Sequence, residues 1–334
     1  MVNVAIIGYG YWGPNLVRNF LSSDSSRVTM VADARQERLD LVTRPYPSIK
    51  TTQQPADVFK SSEVDAVVIA TPVFSHFDLA QQALKAGKHV LIEKPMTSSV
   101  KEADDLIKLA KEKKKALMVD HTFLYTGSVK KMKELIEQDV IGKVNYFDSV
   151  RINLGLFQPD INVLWDLAPH DLSILRYLIQ EEPYSVNATG VSHTNNGIEN
   201  VAYMTVNYKS GIIAHFTCSW SSPVKIRMML VGGDKKMIVF NDIEPSEKIK
   251  IYDTGYSVRT DLEKQRILVD YRVGDVHIPK VEMQEALQGV ARDFISAIVN
   301  DTTPVSDYKM GREVVKLLEA AQHSIKNRGK EVIL

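Results

Sequence analysis

The chain has 334 residues, enough for two domains, and its 44% hydrophobic and 25% charged content is that of an ordinary globular protein. Lys plus Arg balance Asp plus Glu at 41 each, so no net charge calls for nucleic acid or an anionic membrane as a partner. The single cysteine, Cys218, excludes an internal disulfide and no apolar run reaches the ~18 residues of a membrane span. With a strand in place of any signal segment at the N-terminus, the expected location is the cytoplasm.

In chain order, Val2–Ile7 is an apolar strand that runs into Gly8-x-Gly10-x-x-Gly13. A helix starts near Gly13, with Pro14 in the first turn, where a missing N–H is harmless. Residues 27–32 form a second strand ending at Asp33, and 66–70 another, followed by Thr71-Pro72. A helix over 75–86 stops at Gly87, and the strand 89–92 leads to Glu93-Lys94-Pro95. Ser99-x-x-Glu102 has the form of a capping box, ahead of Ala103, Leu106, Ile107 and Ala110 at helical spacing. The basic run 111–115 ends that helix and reads as a solvated face. A strand over 116–119 completes the alternation, which implies an α/β fold with a doubly wound parallel sheet over residues 1–120.

Residues 121–334 change character. After a helix over 127–138 strands dominate. Ile212, Ala214, Phe216, Cys218 and Trp220 alternate with His215, Thr217 and Ser219, the period of a sheet with one buried face. Cys218 therefore reads as core packing rather than as a nucleophile. Ser210-Gly211 offers a turn back to Val201–Tyr208, and Gly232-Gly233-Asp234 offers another. An open sheet invites cover by a second copy, so a homodimer or homotetramer is expected. Two apolar helical stripes close the chain, one over Leu287, Val290, Ala291, Phe294, Ile295 and Ile298, the other over Val314, Leu317, Leu318, Ala321 and Ile325.

The N-terminal glycines have the spacing of a dinucleotide site. Gly8 permits the tight turn, Gly10 the approach of a pyrophosphate and Gly13 close helix–strand packing, with the helix N-terminus facing the phosphates. Tyr11 and Trp12 lie within the turn. Asp33, followed by Ala34 and Arg35, stands twenty residues past Gly13, where a carboxylate accepts hydrogen bonds from the adenosine ribose. A 2′-phosphate there would meet a like charge, which favours NAD over NADP; Arg35 and Arg38 temper that preference. No metal is expected, because the sequence contains neither a Cys/His cluster nor a His-Glu-x-x-His helix.

The stretches Ala70-Thr71-Pro72-x-x-x-His76 and Ala83-Leu84-x-x-Gly87-Lys88-His89-Val90-Leu91-x-Glu93-Lys94-Pro95 strongly resemble the Gfo/Idh/MocA family of sugar oxidoreductases. The resemblance covers the whole chain and implies a Rossmann domain followed by an α/β domain with an open, mostly antiparallel sheet, the latter serving substrate binding and oligomerisation. It implies that Thr71, Pro72, His76 and Glu93 belong to the cofactor site. It places Lys94 beside the nicotinamide, in contact with the reacting hydroxyl, and allows a cis bond before Pro95. It also implies a catalytic Asp-x-x-x-His pair, matched here by Asp166 and His170. The four-residue spacing puts these two on one helical face, with a helix beginning near Asp166. Taken without the resemblance, Asp166 reads rather as an ordinary helix cap and His170 as a packed helix residue. His121-Thr122-Phe123 resembles the family's domain junction and reads as structural.

The segment 151–175 is similar to members that act on nucleotide-linked sugars, and His170 points toward the dehydrogenase type. Arg151, Asn153 and Asn162 are polar among apolar residues and are candidates for a sugar or phosphate pocket; for Arg151 a structural ion pair is an equal reading. The implied chemistry is oxidation of a ring hydroxyl with NAD, His170 acting as base, Lys94 stabilising the developing alkoxide and Asp166 orienting His170 or a neighbouring hydroxyl. The alternatives are a free cyclitol dehydrogenase, an NAD-dependent glycosidase and a redox-inert dinucleotide-binding regulator.

Overall fold

The computed structural model describes residues 1–155, 157–194, 196–257 and 270–334; Leu156, within the 151–175 stretch, lies outside them. The chain forms two compact units, one of residues 1–125 with 285–319, the other of 126–284 with 320–334.

The first unit holds β1 (Val2–Ile7), α1 (Gly13–Leu21), β2 (Ser26–Ala32), α2 (Gln36–Thr43), β3 (Lys50–Thr52), α3 (Pro55–Lys60), β4 (Ala66–Ile69), α4 (His76–Lys85), β5 (His89–Glu93), α5 (Val100–Lys113) and β6 (Leu117–Asp120). The strands pair in the order β3-β2-β1-β4-β5-β6, all parallel. β1, β4 and β5 are almost wholly buried, which is why they read as continuous apolar runs. The strand order reverses at β1, so a crevice opens beyond the carboxyl ends of the strands. Gly8, Asp33 and Lys94 each follow a strand end directly on that side, and Thr71 lies two residues beyond β4. The capping box at α5 forms in part: Ser99 Oγ accepts from Glu102 N at 3.3 Å, while Glu102 Oε2 accepts at 2.9 Å from the N–H of Ser98, one residue before the cap.

The second unit contains α6 (Gly127–Glu137), β7 (Val144–Leu154), α7 (Val163–Leu178), β8 (Pro183–Val191), β9 (Val201–Tyr208), β10 (Ile213–Ser219), β11 (Ser221–Gly233), β12 (Met237–Asn241), β13 (Ile249–Tyr252), the β14–β15 pair (Gly255–Ser257, Asp270–Arg272), β16 (Val276–His277) and β17 (Val332–Ile333). Nine of these strands make one sheet in the order β16-β13-β12-β11-β7-β10-β9-β8-β17. All its pairings are antiparallel except β7 with β10. The alternation on β10 is as the sequence requires: Ala214, Phe216 and Cys218 are buried, and burial pushes the Cys218 thiol far up, so that it is an inert core residue.

Residues after 120 do not all join the second unit. The helix α8 (Ala286–Val299) returns to the first, where Phe294 meets Phe20 of α1 edge-to-face at 6.4 Å and Asp293 accepts a 2.6 Å bond from Tyr125 Oη. Ser306 Oγ donates to Val119 O at 2.7 Å, and Arg312, on α9 (Tyr308–Lys326), pairs with Asp104. Among the described residues no helix is long and apolar enough to cross a membrane.

Candidate active site

The turn after β1 meets the requirements of a dinucleotide loop atom by atom. Gly8 has φ +100°, and a Cβ there would stand 2.4 Å from Ala70 O. At Gly13 a Cβ would lie 2.8 Å from Gly8 O, so the glycine permits the helix to start against the strand. At Gly10 a Cβ would meet nothing within 4 Å, so the backbone there is open to an approaching ligand. α1 starts at Gly13 with no side-chain cap on its N-terminus, leaving N–H groups for an anion. This cradle fits a dinucleotide pyrophosphate. Tyr11 is exposed, with Trp12 packed edge-on against it at 5.6 Å.

Asp33 is buried and already held. Its Oδ2 accepts from Tyr9 N at 2.8 Å, and its Oδ1 accepts from Arg35 N at 3.0 Å and Arg35 Nε at 3.1 Å. Burial pushes the carboxyl up, but the Arg35 guanidinium and the two backbone N–H groups outweigh it and hold the group below the usual carboxylate range. An ionised acceptor is thus fixed at the end of β2, with Ala34 and Arg35 exposed beside it.

His76 opens α4 just beyond the Thr71-Pro72 turn. It is buried, and its ring nitrogens contact Pro95 O at 2.9 Å and Thr71 O at 2.7 Å. The imidazole therefore ties the Thr71-Pro72 turn to the Lys94-Pro95 turn, where the peptide bond is cis. Glu93 is also buried: its Oε2 accepts from Lys94 N at 2.9 Å, and Asp120 is its register partner on β6. Both carboxyls are pushed up, mainly by burial. His121 is wholly buried, its ring nitrogens lack hydrogen-bond partners, and burial pushes it down to about 3.

In the second unit α7 begins at Val163, three residues earlier than the sequence suggested, so Asp166 is not its cap. The cap is Asn162, whose Oδ1 accepts from Leu164 N at 3.1 Å and Trp165 N at 3.2 Å, while its Nδ2 donates to Glu199 and Gln322. Asn162 is therefore occupied in building the helix. Arg151 is buried in a bidentate pair with Asp171, with Nε to Oδ2 at 3.0 Å and Nη2 to Oδ1 at 2.5 Å, which is the structural ion pair the sequence also allowed. Asn153 sits half-buried near the end of β7.

Asp166 and His170 do lie one turn apart on α7. Asp166 Oδ2 accepts from Trp220 Nε1 at 2.9 Å, and Trp220 is buried just past β10. The indole thereby fixes the carboxylate, a contact between residues 54 apart that no local pattern announces. Arg151 and Asp171 brace the same turn, since Asp171 follows His170 and Ser149 Oγ donates to it at 2.7 Å.

Residues 2–121 match the oxidoreductase family with an NAD-binding Rossmann fold (GFO_IDH_MocA), and residues 129–239 match the GFO/IDH/MocA C-terminal domain. The UDP-N-acetylglucosamine 3-dehydrogenase of Acidithiobacillus ferrooxidans is 33% identical over 94% of this chain and 94% of its own. The solved structure of the dehydrogenase GnnA from that organism superposes with a TM-score of 0.79 at 25% identity, covering 97% of this chain and 98% of the other. The myo-inositol 2-dehydrogenase of Thermotoga maritima is 25% identical over 72% of each chain. Two consecutive family domains, and identity sustained along nearly the whole of both sequences, make this protein a member of the Gfo/Idh/MocA family of oxidoreductases.

Proposed function

We propose that the protein is an NAD-dependent dehydrogenase of a nucleotide-linked sugar, acting at a ring hydroxyl, with 3-oxidation of a UDP-N-acetylhexosamine or its uronate as the leading case. The observation that carries this reading is the 33% identity to a UDP-N-acetylglucosamine 3-dehydrogenase over 94% of both chains. Bound NAD supplies the hydride acceptor. The protein's own part is proton transfer and charge stabilisation. His170 takes the hydroxyl proton at its imidazole and returns it in the reverse direction. Lys94 donates a hydrogen bond to the same oxygen as negative charge builds on it. Asp166, held by Trp220, orients His170 or a neighbouring hydroxyl.

Lys94→Ala removes the donor and leaves the Gly8–Gly13 cradle intact. Turnover falls by about 10²–10³-fold while NAD affinity, read by fluorescence titration, stays within about threefold. Normal turnover in this variant overturns the assigned role. A free cyclitol is the second reading, favoured by the 25% identity to an inositol dehydrogenase. Reduction of NAD with a panel of UDP-sugars set against free polyols separates the two, and binding without turnover on any of them points to a regulator.

A further inference from the structure

At the amino ends of β5 and β6, the end of the first sheet away from the Gly8, Asp33 and Lys94 turns, lies a cleft of about 570 Å³. It is walled by the carboxyl end of α5 and the turn from α8 to α9, all within the first unit. A volume of this order holds a small organic ligand. The basic run that the sequence leaves as a solvated face supplies Lys111, Lys114 and Lys115 to the lining, and α9 adds Tyr308 and Lys309. The end of α5 does not employ these lysine side chains as caps. The carbonyls of Ala110 and Lys111 accept from the backbone N–H groups of Lys115 and Lys114, at 2.9 and 3.2 Å. Among the described residues no carboxylate pairs with any of the four ammonium groups, and Lys111 Nζ lies over the Tyr308 ring at 5.6 Å. Asp301 and Asp307 also line the cleft, but Asp307 Oδ1 is engaged, accepting from Met310 N at 2.9 Å. Positive charge is therefore in excess.

His89, the first residue of β5, adds a neutral donor to the same lining. The backbone N–H of Ala116 donates to His89 Nδ1 at 3.0 Å, so in the neutral ring the proton sits on Nε2. Burial, reinforced by Lys115, pushes the imidazole down to about 4 and keeps the ring neutral. The Nε2–H has no acceptor among the described residues. Unpaired ammonium groups and a donor of fixed tautomer around one cavity call for a ligand that only accepts. We propose that this cleft binds a phosphate-bearing small molecule, its phosphoryl oxygens accepting from His89 Nε2 and from the lysines of the α5 end and of α9. A phosphoryl group suits the lining because it is dianionic near neutral pH and offers three acceptor oxygens. The site does not depend on the redox reading. Lys94 stands beyond the other end of β5, five residues from His89, which is roughly 16 Å of strand.

The test reads the His89 ring by NMR at pH 7, with NAD saturating to fill the Gly8–Gly13 cradle and about 0.15 M salt to screen diffuse charge. The resonance is identified as the one lost in His89→Gln. The probes are inorganic pyrophosphate and UDP. At least one should shift the His89 signal saturably, with a Kd below about 1 mM. Equal affinities assign the site to the phosphoryl group alone, and tighter UDP assigns it to nucleotides. Lys111→Gln and Lys309→Gln should each weaken this binding by about tenfold, with NAD affinity and melting temperature unchanged. Lys101→Gln, at the far end of α5 and outside the cleft, should leave it within about twofold. An unmoved His89 signal with both probes overturns the site. So does a shift that survives both lining variants, or one that Lys101→Gln weakens equally.

Discussion

At the scale of single residues, the loop that follows β1 separates two kinds of glycine. Gly8 is required by the protein itself, since its φ is +100° and a Cβ would collide with Ala70 O at 2.4 Å. Gly10 has free space around it, so any penalty at that position comes from the ligand. Gly8→Ala is therefore expected to lower both the melting temperature and NAD affinity, whereas Gly10→Ala lowers NAD affinity by about tenfold or more and leaves the melting temperature in place. Calorimetry and fluorescence titration on the two variants check the contrast; equal losses of stability would refute it. These glycines were readable because each obeys a local rule. Asp33 was only half readable: its distance from Gly13 marks the ribose position, but the bonds from Tyr9 N and Arg35 that keep it ionised depend on how β1 and β2 pair.

At the scale of elements, α7 shows where a local pattern misleads. Pro169 suits a first turn, and so drew the expected start of the helix to Asp166. The helix in fact starts at Val163 and carries Pro169 in its interior, where the proline has no N–H to offer the carbonyl of Trp165. Asn162 sets the start, bonded both to the helix and to Glu199 and Gln322, partners 37 and 160 residues away that no window around the helix contains. Asn162→Ala should destabilise the protein by about 1–2 kcal/mol, measured by denaturant unfolding. A loss of sugar affinity at unchanged stability would instead place Asn162 in the pocket. The spacing of Asp166 and His170 needed only the helical repeat and was legible; the indole of Trp220 that fixes Asp166 was not.

At the scale of the whole molecule, stability against pH collects the buried titratable groups. His121 is pushed down to about 3 in the fold and has an ordinary value near 6.5 when unfolded. The unfolded chain therefore binds the extra proton first, and the contribution of His121 to stability is lost as pH falls from about 6.5 toward 3. Glu93 and Asp120, both pushed up, work in the opposite direction: the fold binds more protons there, so stability is lost as pH rises above the usual carboxylate range. Replacing His121 by Phe should flatten the acid side of the profile, measured as denaturant midpoints between pH 6.5 and 4; an unchanged slope would show that His121 does not titrate in this way. The two-unit plan was legible from the switch between helical and alternating periods, but its membership was not. The stripe on α8 announces that the helix is buried without saying against which partner, and Phe20 and Tyr125 lie far back in the chain. Because the first unit is closed by residues 285–319, a ribosome releases its opening 125 residues long before the segment that seals them emerges. The nucleotide-binding half must wait, incomplete, while everything between is translated, and a fragment cut at its apparent end would leave the flanks of α1 and of the Thr122–Tyr125 turn bare.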